Sequence, residues 1–365
     1  MTAYPNLTSQ QALLPEDSLK ATRQHWLRSK MQFSGRTNRD ADQLDGALNL
    51  GLNGLFWANH RADVRYSDAR AYRAGNERKV LGFSYGLPVG SNHLDFEVKN
   101  TEYEEVSRSD GSRFQKEGRT RNVMFTGRRT LFSTYGYQFL GRANYSSVNQ
   151  YWTRRTDEVH RSSYQLSTLG LEARGRHDLL GGFSLNSGLK AVTGVETEVE
   201  GAAERGREWR DEQFGRVVLN ASLGRELLAW QWGLDGQYQM ASSDIPGSQR
   251  LRVAGAALTS GFNGQSLRVA EGGWLRLGSR SPEFSVPFLP RLLSSVRVSV
   301  LRGWVPDESF QQEDAGRVTS GELSWGLSAR QFSADVSVGR VLNATTDAIV
   351  VPDHPDVRFS MSLQI

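Results

Sequence analysis

The sequence predicts an all-β fold: an antiparallel transmembrane β-barrel of the outer-membrane type with about sixteen strands. Three observations support this prediction. Apolar and polar residues alternate along most of the chain, the alternating segments are long, and short turns alternate with long polar connections. A soluble β-sandwich is the alternative that alternation by itself leaves open, because it buries the same apolar faces between two sheets.

Alternation with a period of two is the dominant pattern of the chain. Near the C-terminus, for example, Val357, Phe359 and Met361 alternate with polar residues. Because successive side chains of a strand point to opposite faces, each such segment has one apolar face and one polar or small face. The same pattern recurs at 44–52, 94–98, 217–223, 230–234, 296–300, 323–329 and 332–338.

The lengths and connections of these segments favour the barrel over the sandwich. Many segments run for about eight to ten residues, close to the ~9–11 that a tilted membrane strand needs. Their polar faces mix arginine, aspartate, glutamate and asparagine, which suits a hydrated lumen. Residues 88–91 and 180–182 have the composition of short turns, whereas 107–121 and 196–212 are long polar stretches that we expect to be loops. Short turns on one side and long loops on the other are typical of outer-membrane barrels.

The chain divides into a short leader and one large barrel. Residues 30–365 accommodate about sixteen strands at about 40 residues per hairpin, and bacterial barrels require an even number. We expect residues 1–29 to form a short N-terminal leader. Residues 15–18 resemble a helix start, and Leu19, Trp26 and Leu27 would form a short apolar stripe on that helix.

Charge and composition exclude several classes of protein. The 44 basic residues are mostly arginine and are interleaved with 40 acidic residues, so we expect no nucleic-acid partner. The chain has no cysteine, which excludes disulfide scaffolds and thiolate chemistry. Inside a barrel, the arginines would pair with carboxylates across the lumen; unpaired arginines would instead favour anions in a conducting pore.

Catalysis and metal binding have little support. Residues 82–86 match the G-x-S-x-G nucleophile elbow around Ser84, but that elbow needs a following helix, and Pro88 begins a hairpin. His93 would meet Ser84 across this hairpin, which we interpret as a polar contact in the lumen. The six histidines lack zinc-binding spacing. We therefore expect no enzyme activity, no metal and no cofactor.

Residues 242–275 carry a sharper signal. The segment Ser242–Ser248 is followed by Arg252-Val253-Ala254-Gly255, then by Thr259-Ser260-Gly261-Phe262, and then by Glu271-Gly272-Gly273-Trp274. This succession resembles the barrel of two-partner secretion transporters, the haemolysin activation/secretion family (ShlB/FhaC/HecB-like). Residues 81–90 and 33–50 are similar to the hairpin and first strand of that family, so the resemblance covers nearly all of the chain after Lys30.

The resemblance implies a lid loop that folds back into the lumen. In the family, an arginine of the lid motif pairs with an aspartate on the wall of the barrel. Ser260 stands where the arginine belongs, within Thr259, Ser260, Gly261 and Phe262. Leu301 stands where the aspartate belongs, two residues before the motif glycine Gly303. Losing either charge alone would strand the other in a confined site. Since both are lost, we expect the lid to be held by something weaker.

The resemblance also implies a function and partners. We expect a translocation pore in the bacterial outer membrane that exports a large partner exoprotein through its lumen. Its other partners would be outer-membrane lipid and the barrel-assembly machinery. Two departures keep a passive porin, or a degenerate and secretion-incompetent barrel, as alternatives. The arginine and the aspartate of the lid pair are both missing, and residues 1–29 are too few for the two POTRA domains of the family. A further departure is Ile365, which replaces the usual terminal aromatic residue.

Overall fold

A computed structural model describes residues 28–38, 43–54, 60–71, 77–109, 112–154, 158–200, 211–242, 245–287, 289–306 and 315–364. Nearly all of them lie in strands. The strands are β1 (Arg28–Asn38), β2 (Gln43–Asn53), β3 (Arg61–Ala71), β4 (Glu77–Val89), β5 (Asn92–Ser109), β6 (Ser112–Thr134), β7 (Tyr137–Arg154), β8 (Glu158–Leu179), β9 (Phe183–Glu200), β10 (Asp211–Leu227), β11 (Trp230–Ala241), β12 (Leu251–Gly255), β13 (Ser266–Val269), β14 (Gly272–Arg280), β15 (Phe284–Val286), β16 (Leu289–Val305), β17 (Gly316–Ser328), β18 (Phe332–Ala344) and β19 (Asp356–Gln364). Within the described residues, no helix has the length and apolar character needed to cross a membrane.

One sheet closes on itself to form the barrel. Each strand pairs antiparallel with its neighbours, and β1 pairs with β19, so the sheet has no free edge. Strands β14 and β15 both pair with β16, at successive stretches of it, and therefore share one position in the wall. The seventeen strands of this sheet thus occupy sixteen positions. The predicted antiparallel barrel of about sixteen strands is confirmed. Closure satisfies the backbone hydrogen bonds that lipid cannot.

The alternation places an apolar band on the outside of the barrel. On β6, for example, Phe125 is about half exposed on the outer face, and the charged Arg121 and Arg129 bracket it. These two arginines are eight residues apart, which is about 20 Å along the barrel axis for a tilted strand. This distance is close to the height of the apolar band of outer-membrane barrels, roughly 25 Å.

Two rims differ in the length of their connections. Tight turns at 90–91, 135–136, 180–182 and 228–229 lie at one rim, which faces the periplasm in outer-membrane barrels. The connection between β11 and β14 leaves the opposite, external rim.

Two long polar stretches, 107–121 and 196–212, were expected to be loops. The loop expected at 107–121 is wrong, because β5 continues to Ser109 and pairs with β6 from Ser112 onward. The segment is a long hairpin whose strands extend beyond the apolar band, where neither face has to be apolar. Of the stretch 196–212, residues 196–200 and 211–212 are strand, and 201–210 lie outside the described residues. The leader predicted at 1–29 also lies outside them, except for the first two residues of β1.

Candidate functional site

A hairpin between β11 and β14 lies inside the barrel. Its strands β12 and β13 form a separate two-stranded sheet that does not join the wall. We call residues 251–269 the lumenal hairpin. Val253 and Phe262 of this hairpin have no exposed surface. They belong to the same buried cluster as Leu301 of β16. Val298 and Val300 of that strand point the other way and are exposed on the membrane side. The hairpin therefore contacts the inner face of the wall.

An apolar seat on this inner face receives the hairpin. Leu301 is 1% exposed and belongs to a cluster in which the hairpin meets β14, β16, β17 and β18. Gly303 lies directly beneath β12, since a Cβ atom at this position would overlap the backbone carbonyl of Val253. The cluster consists of Leu251, Val253, Ala254, Phe262, Val269, Trp274, Leu301, Val305, Val318, Val341 and Ile349.

The tip of the hairpin binds a carboxylate on β17. The backbone N–H of Ser260 donates to Glu322 Oε2 at 2.5 Å, and the hydroxyl of Ser260 donates to the same oxygen. Thr259 Oγ1 lies 3.4 Å from this oxygen, and the hydroxyl of Ser324 donates to Glu322 Oε1 at 3.1 Å. Hydrogen bonds to an ionised acceptor are stronger than neutral ones. Glu322 is therefore the main polar anchor of the tip.

The tip also approaches the wall so closely that only glycine fits. Gly261 has a φ of +107°, a conformation that disfavours residues with a Cβ atom. A Cβ atom on Gly261 would overlap the backbone of Arg340. Its N–H donates to Asp356 Oδ2 of β19 at 3.4 Å. Across the contact, a Cβ atom on Gly339 would lie 2.5 Å from the carbonyl of Ser260. The tip is thus seated backbone against backbone on β18.

The segments flanking the hairpin are fixed to the other side of the lumen. Arg216 Nη1 on β10 donates to the carbonyl of Gln249 at 2.7 Å. Gln239 Nε2 on β11 donates to the same carbonyl at 3.2 Å and to the carbonyl of Ala270 at 3.1 Å. Ile245 and Ala270 pack against Leu166 and Phe214 of β8 and β10. The hairpin is therefore anchored on β8–β11 at its base and on β16–β19 at its tip, and it crosses the lumen between them.

The structure brings the two sequence motifs together. Thr259, Ser260, Gly261 and Phe262 form the buried tip, and Leu301 and Gly303 lie on the wall strand beneath the hairpin. Sequence reasoning missed Glu322 and Asp356. Glu322 lies on the polar face of an alternating segment, next to the outward Leu323, and that alternation was its only signal. The wall thus has a carboxylate under the tip, but it lies on β17, next to the strand β16 that contains Leu301.

The residues considered for catalysis do not face each other. The strand register places Ser84 opposite Glu97 and His93 opposite Pro88. The His93 ring instead bonds Asp95, with Nε2 3.0 Å from Oδ1. Strand β4 continues through Ser84 to Val89, so no elbow turn follows the serine.

A closed sixteen-stranded sheet with an apolar outer band and an inserted hairpin defines a β-barrel of the bacterial outer membrane with a partly filled lumen. The model of one family, the haemolysin secretion/activation protein ShlB/FhaC/HecB, matches residues 18–327. The chain belongs to this family.

Solved structures agree on the fold. CdiB from Acinetobacter baumannii superposes with a TM-score of 0.71 at 17% identity, over 94% of this chain and 60% of that one. CdiB from Escherichia coli gives 0.73 at 17% identity, over 94% and 63%. This chain therefore spans less than two thirds of the length of either protein. No curated protein matches the sequence significantly.

Proposed function

We propose that the protein is the outer-membrane pore of a two-partner secretion system and exports a large exoprotein, as an unfolded chain, through its lumen. The observation that carries the proposal is the lumenal hairpin, which crosses the bore and is anchored on both sides of it. Membership of a family of secretion proteins supports the same role.

In this proposal the hairpin is a lid that closes the pore at rest. Thr259–Phe262 form the tip of the lid, and Leu301 and Gly303 form its seat. Opening breaks the hydrogen bonds at Glu322, and water in the lumen then hydrates the freed carboxylate. The apolar seat is small compared with a domain core, so the hairpin can leave while the barrel stays closed by its backbone ladder. Among the described residues, the strands of the lid form the one sheet that does not join the wall, whereas the wall strands form a continuous ring.

The remaining roles follow from the same proposal. Transport requires no catalysis, cofactor or metal, because the work of the pore is steric and electrostatic. The outer apolar band contacts outer-membrane lipid, and the barrel-assembly machinery inserts the closed sheet into it.

The test is a comparison of secreted proteins. The gene is deleted in its native host, and proteins in the culture medium are compared by mass spectrometry with those of the parent strain. We expect one large exoprotein to disappear from the medium and to return when the intact gene is restored. If the deletion strain instead secretes the same proteins as the parent but takes up small solutes more slowly, the protein is a passive porin and the proposal is contradicted.

A further inference from the structure

Five basic side chains share the inner face of neighbouring strands. They lie on β6 to β10, one per strand: Arg128, Arg142, Arg174, Lys190 and Arg216. The residues next to them in sequence point outward; Leu189, for example, is about half exposed on the membrane side, and Arg129 is exposed as well. We call these five residues the basic wall.

Carboxylates neutralise only part of the basic wall. Arg128 Nη2 lies 2.8 Å from Asp95 Oδ2, and Arg174 Nε lies 2.5 Å from Glu172 Oε1. Arg216 donates to neutral partners, the side chain of Gln239 and the carbonyl of Gln249.

Like Arg216, two further members of the wall have no ion pair with a residue that the structure describes. Among the described residues, neither Arg142 nor Lys190 has a carboxylate oxygen within 4.0 Å. The Nε atom of Arg142 is buried and has no hydrogen-bond partner in the same part of the chain. Two carboxylates therefore face five cations, which leaves an excess of positive charge.

Strand register increases this excess locally. Arg128 and Arg142 are directly opposite each other on β6 and β7. Side chains in this position have Cβ atoms about 5 Å apart, and like charges there repel each other. Lys190 is opposite Glu172, but that carboxylate is already bonded to Arg174.

Two arginines outside the basic wall have ion pairs of their own. On β14, Arg276 Nη2 lies 2.9 Å from Asp235 Oδ2, and Arg280 Nη2 lies 3.0 Å from Glu283 Oε1. The paired arginines of β14 thus contrast with Arg142 and Lys190 of the basic wall.

We propose that the basic wall is an oxyanion site, which binds small multivalent anions such as pyrophosphate and makes the pore conduct anions in preference to cations. The guanidinium groups of Arg128 and Arg142 donate pairs of hydrogen bonds in a geometry that phosphate oxygens match. Lys190 adds a mobile ammonium donor beside them. A bound oxyanion relieves the repulsion between the facing arginines. This inference is independent of protein export.

The first test is ion selectivity in planar lipid bilayers. The reversal potential of the purified barrel is measured under a potassium chloride gradient, for the parent protein and for a double variant, Arg142→Gln with Lys190→Gln. We expect the parent to prefer chloride and the double variant to lose that preference. Arg129→Gln is the matched control, because it removes a neighbouring cation from the lipid-facing side of β6 and should leave the reversal potential unchanged.

A second test does not require an open pore. Binding of pyrophosphate to the detergent-solubilised barrel is measured by titration calorimetry, and migration in unheated gels confirms that each variant is folded. We expect the double variant to bind about tenfold more weakly or worse, since charged hydrogen bonds are lost. Equal binding by parent and double variant, or a parent pore that prefers potassium, overturns the proposal. Either result leaves the secretion assay, and thus the proposed export function, unaffected.

Discussion

Replacing Glu322 with alanine should release the lid. The carboxylate accepts the N–H and the hydroxyl of Ser260, a residue with no exposed surface. In the variant both donors lose their charged acceptor while the hairpin stays seated. Loss of a hydrogen bond to a charged group costs about 1.5–3 kcal/mol. Because the two bonds share one oxygen, we expect a combined loss of about 3 kcal/mol, which raises the ratio of open to closed lid by about a hundredfold.

Single-channel recording measures this ratio directly. In planar bilayers, the parent protein should be mostly closed, and Glu322→Ala should show long, large openings. Glu322→Gln keeps an acceptor oxygen and should lie between the two. Glu226→Ala removes an exposed carboxylate at the periplasmic end of β10 and serves as the control. If Glu322→Ala is as closed as the parent, the carboxylate is not the anchor of the tip.

Three further outcomes test the seat and the base of the hairpin. Gly303→Val should displace β12, because the new side chain overlaps the carbonyl of Val253. Protease should then cut the hairpin. A hairpin that stays intact would contradict the close approach of β12 to Gly303. Leu301→Asp restores the carboxylate that the family motif has, but buries it in the apolar seat, at a cost of several kcal/mol unless the hairpin moves away. We expect a lower unfolding temperature or an open pore. If the variant shows neither of these changes, the seat is not apolar. Arg216→Ala removes the 2.7 Å hydrogen bond to the carbonyl of Gln249 at the base of the hairpin, and a 3.2 Å bond to Gln239 of β11. Open probability should rise less than in Glu322→Ala because tip and seat remain, and a larger rise would place the main anchor at the base.

The barrel could be predicted from the sequence because one face of every membrane-spanning strand contacts lipid. Apolar residues therefore recur with a period of two. Val298 and Val300, for example, face the membrane while Arg297 and Ser299 face the lumen, so the alternation marks both strand and orientation. The same logic failed at 107–121. There both faces of the β5–β6 hairpin extend beyond the apolar band, and without lipid no alternation is required.

The anchors of the lid were harder to predict. Ser260 and Glu322 are 62 residues apart, and Gly261 and Asp356 are 95 apart, so only closure of the barrel brings them together. The family motif identified the tip and the wall strand with Leu301. It could not show that Glu322 of the neighbouring strand binds the tip, because inward-facing acidic residues on several strands fit the alternation equally well.

The proposed lid requires the hairpin to lie folded inside the lumen. Since the chain has no cysteine, single cysteines can be introduced and labelled in intact cells with a membrane-impermeant maleimide. Ala254 lies on β12 and has no exposed surface, whereas Ala348 is exposed on the connection between β18 and β19. We expect Ala348→Cys to react readily and Ala254→Cys to react at least about a hundredfold more slowly, as protection of a buried site predicts. Equal labelling rates at the two positions would show that the hairpin is outside the barrel.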